Sequence, residues 1–241
     1  MREAQHVPWL RTIAEGVAIV ASILLAFAID AWWQRRAELE QADALVVSLY
    51  ADFQASLAHL ERWLVGNRRI HSATTELLDQ ITSAERGQEI LVPIELIVGA
   101  IGAPTYSPTD STLDAAVSSG QIELIEDSEI RSILALWRQQ LADTSEDEIL
   151  IREIVVHQLV PELSEQVRLA EAFDFKRLTD WFFDQSDANQ DEPIQLRATT
   201  KLEGAIAERV FYSTFVVGGL TEIYETQAEI LRLLGEHLNS E

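Results

Sequence analysis

Scattered histidines, an excess of acids and a complete lack of cysteine limit the chemistry open to this 241-residue chain. His6, His59, His71, His157 and His237 never stand four residues from one another, so the two-histidine zinc helix is absent. Glu153 and His157 do share a helix face at i, i+4. That spacing arises easily by chance, and the pair is read as a surface contact. Asp187, Asn189 and Asp191 reproduce positions 1, 3 and 5 of a calcium loop. Glu192 replaces the glycine of its sharp turn and Ala198 the closing bidentate glutamate, so a solvated acidic loop is the favoured reading. The run 143–148, "DTSEDE", reads as a solvated face with the character of a helix start. Ser118, Ser119 and Gly120 look like a helix end, since no Gly-x-Ser-x-Gly elbow and no ordered acid–histidine pair accompany them. No glycine-rich loop precedes a helix to cradle phosphate. The absence of cysteine removes thiolate metal sites, disulfides and cysteine nucleophiles together. The chain is expected to be no enzyme and to use no cofactor. A divalent-metal-dependent hydrolase resting on Asp187 and Asp191 is the least favoured alternative.

Two further acids stand at the edges of an apolar run. Between Glu15 and Asp30 lie fourteen uncharged residues, "GVAIVASILLAFAI". As α-helix they reach only about 21 Å, short of the roughly 30 Å hydrocarbon core of a bilayer. The flanks extend them: from Trp9 to Trp33 the helix measures about 36 Å, and Trp9, Trp32 and Trp33 fall where interfacial tryptophans belong. Val17, Ile19, Val20, Ile23, Leu24, Leu25, Phe27 and Ile29 surround the helix on every side, as in lipid or a deep core. They contribute roughly −2.5 to −5 kcal/mol on the insertion scale, against about +3 kcal/mol for an acid at mid-span. Glu15 and Asp30 are not central, so the energetics allow a single span without strongly favouring it, and the flanking tryptophans make a retained anchor the expected reading. No small-residue cleavage site comes after it, which argues against a signal peptide. Within such a span Gly16, Ala18, Ala21, Ser22, Ala26 and Ala28 permit close helix approach. Glu15, Gly16, Asp30, Trp32 and Trp33 are the residues expected to meet membrane or partner. The blander reading makes the two acids mere markers of the span's ends.

Forty acids against eighteen bases leave a net charge of −22, which repels nucleic acid and anionic headgroups. The positive-inside comparison is nearly balanced, with Arg2, Arg11 and the α-amine before the span and Arg35 and Arg36 after it. The expected arrangement is the amino terminus inside and the main domain outside a bacterial inner membrane, because an uncleaved amino-terminal anchor commonly exports the domain attached to it.

Beyond Arg36 the apolar positions Ala42, Val46, Leu49, Phe53, Leu57, Leu60 and Leu64 recur at a period of about 3.67, predicting a straight packed helix continuous with the anchor. Gly66 and Asn67 are expected to end it, with a second helix over 68–84. A short helix over 94–101 lies among the prolines and glycines of 86–109, and another runs from Ser111, a plausible N-cap, to Ser119 before Gly120. Asp127 or Ser128 caps the next, which Pro161 kinks or ends. A short helix over 175–183, a polar loop over 184–193 and a helical pattern over 198–238 complete the chain. Gly218 and Gly219 are candidates to break that last pattern. There is no sustained strand alternation. The expected fold is mainly α: residues 1–36 form a tail and anchor, and residues 37–241 an acidic, irregular antiparallel helical bundle.

Glu15-Gly16 before an apolar run, Asp30-Ala31-Trp32 at its exit and a basic step into an acidic helix together resemble a bacterial family of small single-pass membrane proteins, the domain-of-unknown-function family 6090. That family typically shows Gly-Glu and Asn-x-Trp at these places, so the first pair is reversed here and an aspartate stands for the asparagine. The stretch 113–137, "LDAAVSSGQIELIEDSEIRSILALW", is similar to the family's Ser-Ser-Gly turn, capped helix start and arginine. The resemblance spans about two-thirds of the chain by pattern and implies a membrane span. It carries no catalytic residue. The function expected from residues and resemblance together is a membrane-anchored helical domain that binds a protein partner or ligand, or serves as a subunit of a membrane assembly. The partners would be the membrane and another copy or a membrane protein, with no nucleic acid. The alternative is a soluble α-helical oligomer that buries its apolar amino-terminal helix.

Overall fold

The structure is a computed structural model that describes residues 9–108, 110–170, 175–183 and 193–239. The fold is mainly α. Its spine is α1, Trp9–Ser83, a single helix of 75 residues and therefore about 112 Å long. Ala42 is the first described residue to be buried, so the amino-terminal part of α1 projects from the packed domain.

Three long helices make that domain. The second half of α1 lies antiparallel to α7, Thr200–Asn239, as pairs at Gln227–Phe53 and Ser213–His71 show. On its other side α7 runs antiparallel to α4, Ser128–Ile154, so α1 and α4 point the same way. Val46, Leu49, Leu60, Leu77, Leu220, Ile223, Ile230 and Leu134 are fully or almost fully buried between them, and the edge of Phe53 meets Trp137 at 4.9 Å between ring centroids. The shorter helices α2, Ile94–Ile101, and α3, Ser111–Ser119, pack against α1. Asp127 caps α4, its carboxylate accepting the N–H groups of Glu129 and Ile130. The N-cap of α3 differs from expectation, since Asp110 takes that position and Ser111 opens the helix; its end is as expected, with Gly120 at φ 77°, a conformation glycine adopts freely.

The structure corrects the sequence reading at several points. Gly66 and Asn67 do not end α1. A Cβ on Gly66 would lie 2.5 Å from the ring of Phe182, so this glycine serves the close approach of α6, Phe175–Phe183, to α1. Gly218 and Gly219 do not break α7 either; a Cβ on Gly219 would collide with the Thr144 hydroxyl where α4 crosses. Pro161 does not stop the helical path, but the regular α4 ends at Ile154, a few residues before it. A π turn over Val155–Leu159, with the Val160 N–H on the Val155 carbonyl, leads into α5, Val160–Ser164, and absorbs the missing proline donor. Two four-residue strands, β1 Glu89–Val92 and β2 Ile194–Arg197, pair antiparallel with Glu89 opposite Arg197 and Val92 opposite Ile194. Such short strands carry no readable alternation. Most of the 184–193 loop, including Asp187, Asn189 and Asp191, lies outside the described residues.

Candidate functional site

Among the described residues nothing buries the amino-terminal stretch of α1. An 18-residue window there has a mean hydropathy of 1.9, and none of it is buried. Leu25 is 63 % and Phe27 67 % exposed, whereas Leu49, further along the same helix, is 0 % exposed. The helix is long and apolar enough to cross a membrane. Gly16 has open space where a Cβ would stand. Asp30 accepts a hydrogen bond from Gln34 Nε2 at 3.1 Å, one turn on. The rings of Trp32 and Trp33 meet edge to face at 5.2 Å, and the Arg36 guanidinium sits 5.9 Å from the Trp32 ring. Arg35 pairs with Glu126, which ties the turn before α4 to α1 just past the tryptophans. The five residues singled out therefore sit on one exposed helix, Glu15 and Gly16 at one end and Asp30, Trp32 and Trp33 at the other. They do not converge on a pocket.

A second site lies inside the domain, and the sequence reading missed it. Glu148, expected on a solvated face, is 4 % exposed. Its carboxylate oxygens accept the backbone N–H of Tyr106 at 3.0 and 3.2 Å. Burial pushes the Glu148 pKa up to about 7; the Tyr106 N–H and the Arg152 charge pull it back only in part. Arg152 also donates to the Thr105 hydroxyl. Further along α7, Arg209 is 1 % exposed and donates from Nε to the Ala100 carbonyl and from Nη2, at 2.6 Å, to that of Gly102. It so satisfies the carboxyl-terminal end of α2, where a cation also meets the negative end of the helix dipole. Burial lowers the Arg209 pKa to about 10. His71, held by Ser213 Oγ at 2.7 Å, has its pKa lowered by burial and by the Arg209 charge. Thus Arg209 and Glu148 clamp the chain between Gly102 and Tyr106 from two directions.

That clamped segment forms one wall of a cavity of about 410 Å³. Opposite stands α6, presenting Leu178, Trp181, Phe182 and Phe183, and the floor is Trp63 and Ile70 of α1. Phe182 packs on Gly66 and meets the Trp63 ring at 5.1 Å, while Arg69 donates to the Trp181 carbonyl. Trp63 in turn neighbours His59 and Tyr106, at 5.4 and 6.2 Å between ring centroids. The arrangement suits retention of an apolar body.

The phase of burial was a usable signal. Leu202, Ile206, Ser213, Val216 and Leu220 define the inner face of α7, and Arg209 falls in step with them. Thr144, Glu148 and Ile151 do the same on α4. Glu153 and His157 pair at 3.1 Å with both side chains exposed, the surface contact expected of them. Among the described residues no three His, Asp or Glu side chains are grouped to hold a metal ion.

Fold and site define a mainly α protein with one apolar amino-terminal helix long enough to cross a membrane and an aromatic-lined cavity in its packed domain. No family model, no curated protein and no solved structure matches the chain.

Proposed function

We propose that this chain is a non-enzymatic, single-pass membrane protein of the bacterial inner membrane, whose helical domain binds a small ligand or a protein partner and acts as a subunit or receptor there. One observation carries the reading. The apolar stretch after Glu15 is exposed on all sides yet belongs to the same unbroken helix that forms the domain core. Eight large apolar side chains left in water would be unfavourable by roughly 12 to 24 kcal/mol, so lipid or another protein must cover them. Lipid is favoured, because the residues circle the helix while the tryptophans and charges cluster at its exit. The resemblance to family 6090 agrees with a span. The unbroken helix gives a direct mechanical path between cavity and membrane, since Trp63 and Ile70 in the cavity floor lie on α1 itself.

The test is a pair of reporters fused after Glu241, one active only in the cytoplasm and one only outside it. Activity of the external reporter alone supports an exported domain. Activity of the cytoplasmic reporter alone reverses the orientation and moves the search for partners to the other side of the membrane.

A further inference from the structure

We infer that the cavity between α6 and the Gly102–Tyr106 segment is a binding site for a small, uncharged, largely aromatic molecule. This deepens the reading of the domain as a ligand binder and rests on it. Four observations converge on that class of occupant. Among the described residues none of the lining side chains carries a charge and Thr179 contributes a hydroxyl, so an ionic guest would shed its hydration without a counter-ion in that lining; the Arg69 guanidinium lies outside it, 5.9 Å from the Trp181 ring centroid. Water needs two to four polar partners to be held in a cavity, and the described lining side chains offer little beyond the Thr179 hydroxyl and the indole N–H groups of Trp63 and Trp181. An extended peptide would need partners for its own N–H and C=O groups. In this wall the Gly102 carbonyl already accepts from Arg209, the Tyr106 N–H at the end of the segment is held by Glu148, and Pro104 has no N–H to give, so few backbone groups are left for it. There remain the faces and edges of Trp63, Trp181, Phe182 and Phe183, which suit the offset and edge-on contacts of another ring.

The size agrees, since about 410 Å³ lies within the range of small-molecule pockets, roughly 300–1,000 Å³. The walls are set in advance: Arg209 and Glu148 fix one, and the fit of Phe182 onto Gly66 fixes the other. A guest therefore orders little on entering, which favours affinity.

The probe is 5-fluoroindole, neutral and bicyclic, followed by fluorine NMR with the full chain in lipid nanodiscs, because detergent tails would compete for an apolar cavity. Empty nanodiscs of the same lipid give the background, and 5-fluoroindole-2-carboxylate is the charged comparison. Saturable one-to-one uptake above background is expected for the neutral probe, weakened at least ten-fold in Ala103→Phe and in Leu178→Trp, each of which fills the cavity. Circular dichroism and the urea midpoint establish that each variant is folded. Uptake no greater than in empty nanodiscs overturns the inference, as does equal binding of the carboxylate or unchanged binding in both folded variants. Loss of the chain from membranes would strike the anchor reading alone; retention in membranes without uptake would strike this inference alone.

Discussion

Replacing Glu148 by glutamine should change the pH dependence of stability by an amount set by its burial. The folded pKa of about 7 stands above the ordinary 4.5, so between those values the native chain holds a proton that the unfolded chain releases. Stability from this group is fully present below the unfolded pKa and is lost as pH rises through the folded one. From about pH 5 to about pH 8.5 the wild-type chain should lose about 2–3 kcal/mol through Glu148. Glutamine keeps an oxygen for the Tyr106 N–H and abolishes the titration. Its new amide donor introduces a roughly constant offset of about 1 kcal/mol. Urea denaturation of the full chain in nanodiscs, read by helical circular dichroism at both pH values, gives the difference between E148Q and wild type. That difference should move by about 2–3 kcal/mol in favour of E148Q as pH rises. A difference constant within about 0.5 kcal/mol would refute the claim that burial governs this carboxylate.

Four other substitutions probe the packing and capping of the domain. An exposed helical glycine changed to alanine gains about 1 kcal/mol, but Gly66→Ala should instead lose about 1–3 kcal/mol and weaken the near-ultraviolet dichroism of Phe182 and its neighbours. Arg209→Ala should destabilise by about 2–5 kcal/mol in urea, since the Ala100 and Gly102 carbonyls lose their donors and the stem leaves a void. Arg209→Met should recover the part due to volume. Asp127→Ala should cost about 1 kcal/mol through the lost cap of α4, seen as a lower urea midpoint.

Local signals carried much of the fold. Ile94–Ile101 reads as an apolar run between a proline and a glycine, and Gly120 and Asp127 mark their helix ends by the backbone each can adopt or satisfy. The misreadings share a cause: a residue's local tendency was outweighed by a partner distant in sequence. Gly66 is a helix terminator by propensity, yet Phe182 occupies the space its missing side chain leaves. Gly219 lies where Thr144 crosses, leaving no room for a side chain. Glu148 looks solvated in a run of acids, because nothing nearby in sequence announces the Tyr106 N–H that awaits it. The β1–β2 ladder pairs residues about a hundred positions apart, beyond any local pattern. The cavity exists only because α6 folds back on α1, and its aromatic residues, read in sequence, look like ordinary core.

The most direct test of the account is alkaline extraction of membranes from bacteria expressing the full chain, beside a chain lacking residues 1–36. The account predicts that the full chain stays with the membrane pellet while the shortened one is released. Release of the full chain by alkali, as a soluble assembly that keeps its helical dichroism, would contradict the anchor and make the apolar stretch of α1 an interface between subunits.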